Sequence, residues 1–394
     1  MPLPRLLLTA GFVVCTACAE EPRVEPPAPA DPPKPAVDLA VIKPLAVDLT
    51  VSWPTFHGDH GLRGVSPWKA PKTLTASWTF KNGGPCVIDA GEVIVGGADG
   101  TLRVLGLEDG VEKWSLKIGG GLNAPTVAGD RILLTTFSAS VHVVDRANRK
   151  ELWKADAGDE VSGSAGLVVG AKGQKLVVVG SHDHNAYAFD LETGKPAWSY
   201  DAGHMINGGV AAYGPFAIFG GCDASLHVVD ADTGQAFQQI GAGSPIAASP
   251  AVAWPLGVAG THESAVIAAD LSNGKDAWSF GGGGEAFFST PAISENEVVI
   301  GGRDGAIHCI ERKDGTERWA FATNDQVDAS PVIAGSVVLC GSNDGVLYLL
   351  SLDKGEKLWS YDAGSPISGS VAVVPGRVLL PAGDGTIHAF TGPK

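Results

Sequence analysis

The sequence predicts an all-β fold: an eight-bladed β-propeller closed by strands from both ends of the chain. Three observations predict it. A unit of roughly forty residues recurs, each copy ending on an aromatic residue. Each copy holds strand-length apolar runs joined by tight glycine-marked hairpins. The first and last copies are incomplete in complementary ways.

One unit reads Ala188-Phe-Asp190-Leu-Glu-Thr193-Gly194-Lys-Pro-Ala-Trp198. Its relatives end at Trp114, Trp153, Trp278, Trp319 and Trp359, with a weaker copy around Phe237 and Gln238. Inside the units, Val93-Ile-Val95, Leu176-Val-Val-Val179, Glu297-Val-Val-Ile300 and Ser336-Val-Val-Leu339 are short β-branched runs, the pattern of strands buried on both faces. They lead into hairpins such as Asp99-Gly100, Asp304-Gly305, Asp344-Gly345 and Asp384-Gly385, a residue pair that tolerates the positive φ of a two-residue turn. Small-residue segments such as Asp328-Ala-Ser330-Pro331 and Ser368-Gly-Ser370 come before the runs and suit innermost strands, where sheets converge on an axis. The C-terminal end supplies Gly383 to Phe390 and stops without its tryptophan. The N-terminal end supplies Ser77-Trp78-Thr79-Phe80 without an upstream hairpin. Joined, they make the eighth blade, and sealing the ring this way removes exposed sheet edges.

The region before the repeats divides in two. In residues 1–18, Arg5 gives a short positive region and Leu6 to Val14 an apolar stretch too short to span a bilayer, the pattern of an export signal. The signal ends Cys15-Thr16-Ala17-Cys18. This ending resembles the lipobox of bacterial lipoproteins, which implies that Cys18 becomes the lipidated first residue of the mature chain. Ala19 after it implies outer-membrane sorting. Residues 19–50 carry seven prolines between Pro22 and Pro35, favour polyproline II and read as a tether. The propeller is assigned residues 51–394.

Composition narrows the function. A net charge of −15 lacks the basic footprint that nucleic-acid binding requires. The cysteines that follow the signal, Cys86, Cys222, Cys309 and Cys340, form no Cys-x-x-Cys pair and are read mainly as small core residues, with a Cys309–Cys340 bridge left open. His142, His227, His308 and His388 recur three residues before the Asp-turn position of their units, where other units carry Arg103, Tyr187, Ile267 and Tyr348. A recurring position is a packing feature, so no shared metal site is expected. His57-Gly-Asp59-His60 and His182-Asp183-His184 offer too few converging ligands for zinc. The hairpin acids Asp99, Asp183, Asp223, Glu263, Asp304, Asp344 and Asp384 should lie on one face of the disc.

The lead-in Trp53-Pro-Thr-Phe56-His-Gly58-Asp59, with the repeats that follow it to the last residue, resembles the PQQ-like (pyrroloquinoline-quinone-like) repeat family over about 340 residues. That resemblance implies an inter-blade structural role for Trp78, Trp114, Trp153, Trp198, Trp278, Trp319 and Trp359, each docked against the Thr-Gly turn of a neighbouring unit. The motif is degraded where Gln238 replaces tryptophan and where Asn148-Arg149 replaces Thr-Gly, which marks the blade around 222–260 for unusual packing. Asn82, Asn123, Ser162, Asn207, Ala247, Phe288, Asp328 and Ser368 fall at the channel mouth.

Relatives with eight blades include quinoprotein dehydrogenases, which resemble one another in an adjacent Cys–Cys pair, a calcium cage and long insertions. This chain has no Cys-Cys pair, and its mouth residues make a poor calcium cage, with one carboxylate and a bulky Phe288. The expected function is therefore non-catalytic and cofactor-free. The chain resembles the propeller lipoproteins of the outer-membrane β-barrel assembly machinery, which implies a lipid-anchored, monomeric scaffold facing the periplasm. Its protein partner would meet the mouth ring, Phe288 and Asp328 above all, or add a strand to a blade edge. A quinone- or metal-dependent oxidoreductase and a polysaccharide- or ligand-binding module are the alternatives.

Overall fold

The computed structural model describes Leu39, residues 42–281 and residues 284–393. The expected export signal at 1–18, with Cys18, and most of the expected tether at 19–50 lie outside the described residues. Among the described residues all the regular elements are strands, arranged in eight sheets. Seven blades are consecutive four-strand meanders, at 86–117, 126–156, 166–201, 211–241, 251–281, 292–322 and 332–362. The eighth takes Ala372–Val374, Arg377–Pro381 and Ile387–Thr391 from the C-terminal end and its outermost strand, Thr75–Phe80, from the N-terminal end. Thr75 lies opposite Thr391 and Phe80 opposite Ile387. The two incomplete units therefore close one ring, as the sequence predicts.

The apolar core lies between blades. Leu133, Val141 and Val143 of blade 2 pack with Leu167, Val177 and Val179 of blade 3, and Val299, Ile307 and Cys309 of blade 6 pack with Val338, Cys340 and Leu350 of blade 7. Both faces of each middle strand are thus buried, which explains their unbroken β-branched runs. Near the axis there is little room: a Cβ placed on Gly163 would lie 2.3 Å from the carbonyl oxygen of Gly208 in the next blade. The sequence left a Cys309–Cys340 bridge open, but both are free thiols, as is Cys86. Cys340 Sγ donates to the carbonyls of Ala329 and Gly341 at 3.7 and 3.4 Å instead. Burial pushes the Cys86 and Cys309 thiols up to about 12.

The tryptophans of the repeat reach across blade boundaries. The indole N–H of Trp319 donates to Leu352 O at 2.8 Å in the next blade, and those of Trp78, Trp153, Trp198 and Trp278 donate at the equivalent position to Leu107, Leu191, Ala231 and Arg312. Each indole also covers the turn glycine of that neighbour. Gly355 has φ +69°, and a Cβ there would meet the Trp319 ring at 2.5 Å, so the turn needs glycine for both conformation and space. Where Gln238 replaces tryptophan, the sequence suggested unusual packing. The outermost strand of blade 4 is still paired from Ser225–Gly241 to Val229–Ala236. Beneath it, Phe216 packs on Phe237 at 4.6 Å and on Trp254 at 5.5 Å, and Trp254 stacks on Tyr213 at 5.4 Å. The Gln238 side chain itself covers the turn glycine, with its Oε1 2.8 Å from where a Cβ on Gly274 would lie.

The lead-in segment closes one end of the channel. Trp53 and Ile88 exchange both main-chain hydrogen bonds, at 2.6 and 3.0 Å. The carbonyls of Pro54, His60, Gly61, Arg63 and Gly64 then accept from Val127, Ala212, Val252, Ile293 and Ile333, at 2.6 to 2.8 Å. The segment so satisfies inner-strand N–H groups of six blades, groups that would otherwise be orphaned around the axis. Val65–Ser66 ends it by pairing parallel with Ile333 and Ala334. Upstream, exposure alternates along Leu45, Val47 and Leu49. Ile42 and Leu39 pack against the blade 4–5 cluster, Leu45 against the blade 2–3 cluster and Leu49 against the cluster shared by blades 7, 8 and 1. Contact with the disc thus begins before Val51, as a strap across the closed face.

Candidate functional site

Strand direction places the other end of the channel. Each innermost strand begins at the mouth, and the hairpin between second and third strands returns to the same side. The hairpin acids therefore surround the mouth. Each aspartate among them accepts the main-chain N–H two residues on, as Asp99 does from Thr101 at 3.0 Å and Asp344 from Val346 at 2.9 Å; in the Glu263 unit that N–H goes to Thr261 instead. Most also take the side chain four residues on. Arg103 grips Asp99 at 2.5 and 3.0 Å, Tyr187 donates to Asp183 at 2.5 Å, Tyr348 to Asp344 at 2.6 Å, and His308 Nε2 lies 3.0 Å from Asp304. The Arg103 hydrogen bond holds the Asp99 carboxyl down at about 2. Burial and then Asp183 push the Tyr187 phenol up to about 12. Of the recurring histidines, His227 and His308 make this pairing, whereas His142 lies against Ser140 and Glu151 and His388 against Tyr361. Among the described residues no group of three or more His, Cys, Asp or Glu side chains is placed to hold a metal ion.

Inside the mouth is a blind cavity of about 690 Å³. Its floor is Trp53, Phe56 and His57 of the lead-in segment, and its walls include Asn82, Asn123, Ser162, Asn207, Ala247, Phe288 and Ser368. The mouth ring inferred from sequence is thus brought together around one space, with one exception. Asp328 is buried and turned away: Arg303 donates to both its oxygens at 2.8 and 3.1 Å, and Asn343 adds a third bond at 3.0 Å.

A second ring, missed in the sequence, lies one residue before each hairpin acid, or before Ser138 in blade 2: Ala98, Phe137, His182, Cys222, His262, Arg303, Asn343 and Gly383. Its main-chain N–H groups donate to the first ring's segments, as Phe137 does to Gly121, His182 to Glu160, Arg303 to Ala286 and Asn343 to Gln326. Its side chains brace the first ring. His182 Nε2 lies 3.2 Å from Ser162 Oγ, Asn207 Nδ2 donates to Cys222 Sγ at 3.0 Å, and the Arg303 guanidinium lies 4.1 Å from the Phe288 ring centre. His262 also meets Phe288, in an edge-on geometry at 4.6 Å, and burial followed by the Arg303 charge lowers its pKa. Phe137 alone in this ring is a large exposed apolar side chain, 44% accessible. The signal was present in the sequence as an aromatic residue where other units carry a small or polar one.

The floor is rigid. His57 Nδ1 and Nε2 each lie 2.7 Å from a carbonyl oxygen, of Leu62 and Pro331. Two such acceptors favour a proton on both nitrogens, but complete burial is the larger effect and lowers its pKa. The neutral ring then donates to one carbonyl and stacks on Phe56 at 5.6 Å.

Known proteins place this architecture. BamB from Moraxella catarrhalis superposes with a TM-score of 0.68, at 16% identity over 81% of this chain and 100% of that one. The computationally designed Ika8 protein gives 0.69, at 18% identity over 84% and 99%. A quinohemoprotein alcohol dehydrogenase from Pseudomonas putida HK5 gives 0.70, at 13% identity over 87% and 80%. Identities this low carry the fold alone. No curated protein matches the sequence. The mouth does not fit a quinone cofactor with a bound cation. Its two arginines are each committed to a carboxylate, and Asp328 is bonded to Arg303 and Asn343 rather than turned to the cavity. The family model described as outer membrane protein assembly factor BamB matches residues 63–203, 187–293 and 262–392. The chain therefore belongs to the PQQ-like repeat family of the outer membrane protein assembly factor BamB.

Proposed function

We propose that the chain is a non-catalytic scaffold of the bacterial envelope, tethered to the outer membrane through a lipid on Cys18, whose mouth receives a protein partner in outer-membrane protein assembly. One observation carries this reading. Arg103 and Arg303, the arginines at the mouth, are each neutralised by a carboxylate, Asp99 and Asp328. The mouth therefore offers shape, amide and hydroxyl groups and aromatic surface rather than a reactive charge, and recognition is what such a surface does. Membership of the BamB family supports the same reading. The first-ring residues Asn82, Asn123, Ser162, Asn207, Phe288 and Ser368 form its contact surface, and Asp328 supports Phe288 through Arg303.

Envelope cross-linking followed by pull-down of the full chain tests the proposal. Recovery of a β-barrel assembly protein is the expected result. Recovery of glycans or of a redox partner alone, or a quinone chromophore formed on adding pyrroloquinoline quinone and calcium, overturns it.

A further inference from the structure

The cavity is closed at its inner end by the lead-in segment, so nothing can be threaded through it. An occupant must enter and turn back within the mouth. Two aromatic side chains stand over that entrance on opposite blades: Phe137 on the hairpin of blade 2, exposed, and Phe288 ahead of blade 6, held edge-on by His262 and capped by Arg303. In a ring of eight, blades 2 and 6 face each other across the axis. The remaining charge lining the cavity is negative. Arg103 is paired with Asp99, while Glu160 and Asp384 line the wall without a salt bridge among the described residues. An anionic occupant is repelled and a cationic one drawn in, in keeping with a net charge of −15.

We propose that the cavity receives a projecting loop of the partner protein, with an aromatic side chain at its tip seated between Phe137 and Phe288 and a Lys or Arg beside it facing Glu160 and Asp384. This inference rests on the scaffold reading and specifies the partner's chemistry. Aromatic anchors seated in pockets dominate the energetics of most protein interfaces, and rim charges set salt dependence. The returning main chain of the loop meets the carbonyl and amide groups of the Asn82 and Asn123 segments.

Site-specific photo-cross-linking in the full, envelope-located chain tests it. Phe137→p-benzoylphenylalanine reports on the mouth, and Leu152→p-benzoylphenylalanine reports on the exposed outer strand of blade 2. The expected result is capture of a protein at position 137, mapped by mass spectrometry to a loop that carries an aromatic residue next to Lys or Arg. A cyclic peptide of that loop should then bind the purified chain, roughly tenfold more weakly to Phe137→Ala. Exchanging its basic residue for Glu should cost a further factor of roughly ten. Cross-linking at 152 alone overturns the proposal and leaves the scaffold reading standing. A glycan or small-molecule adduct at 137, or peptide affinity unchanged by Phe137→Ala, also overturns it. Capture at neither position removes both readings.

Discussion

Arg303 lays its guanidinium 4.1 Å from the centre of the Phe288 ring while its Nε and Nη2 hold both oxygens of Asp328. One side chain thereby couples a buried carboxylate to the aromatic wall of the cavity. Asp328→Asn removes the counter-charge but keeps the shape. It should cost about 2 kcal/mol, the scale of a hydrogen bond between charged groups in a partly buried setting. Urea unfolding measures it, and weakened protection of the Phe288 segment in hydrogen exchange should accompany it.

The degraded position in blade 4 offers a gain. Gln238 occupies the place of an indole beside Gly274, whose φ of +73° is that of the other turn glycines. Gln238→Trp should add an inter-blade stack and an N–H bond to Leu271 O, the carbonyl equivalent to Leu352 O under Trp319. A stabilisation of about 1 kcal/mol is expected, read as a raised urea midpoint with unchanged slope. The reverse change, Trp319→Ala, should cost about 3 to 5 kcal/mol.

The blades were legible in the sequence because their signals are carried by side chains. Asp344-Gly345 announces a hairpin, Val337 to Leu339 a strand buried on both faces, and Trp359 the end of a unit. The strap was not, although Leu45, Val47 and Leu49 alternate like a strand. The proline density from Pro22 to Pro35 drew the whole of 19–50 into one tether. The plug escaped notice for a different reason. It bonds through the carbonyls of Pro54, His60, Gly61, Arg63 and Gly64, and main-chain acceptors leave no mark on residue type. Phe137 was overlooked because its unit has Ser138 in place of the hairpin acid that marks the position elsewhere.

Acid should weaken the plug. Burial holds the pKa of His60 down at about 4, against about 6.5 in an unfolded chain. The folded protein keeps this ring neutral where the unfolded chain would protonate it. Its contribution is therefore fully present above about pH 6.5 and is lost as pH falls toward 4, by about 3 kcal/mol in all. His60→Gln should flatten the pH dependence of stability between pH 6.5 and 4, measured by denaturant unfolding across that range.

Three thiols should resist labelling in the native state. Cys86, Cys309 and Cys340 are buried, and burial raises the pKa of each. Iodoacetamide at pH 8 should leave all three unmodified until the protein is unfolded, since the thiolate is the reacting form. Mass spectrometry before and after urea checks this, and a Cys309–Cys340 disulfide in the native digest would contradict it.

The strap and plug also decide how the disc carries mechanical load. A pull on the chain from its N-terminal side arrives first at Leu39, Ile42, Leu45 and Leu49, apolar contacts spread over several blades. Behind them stand the main-chain bonds of the plug, distributed around six blades. The strand that seals the ring, Thr75–Phe80, lies further along the chain and is shielded from that tension. A disc built in this way can be tugged from that side without being unzipped.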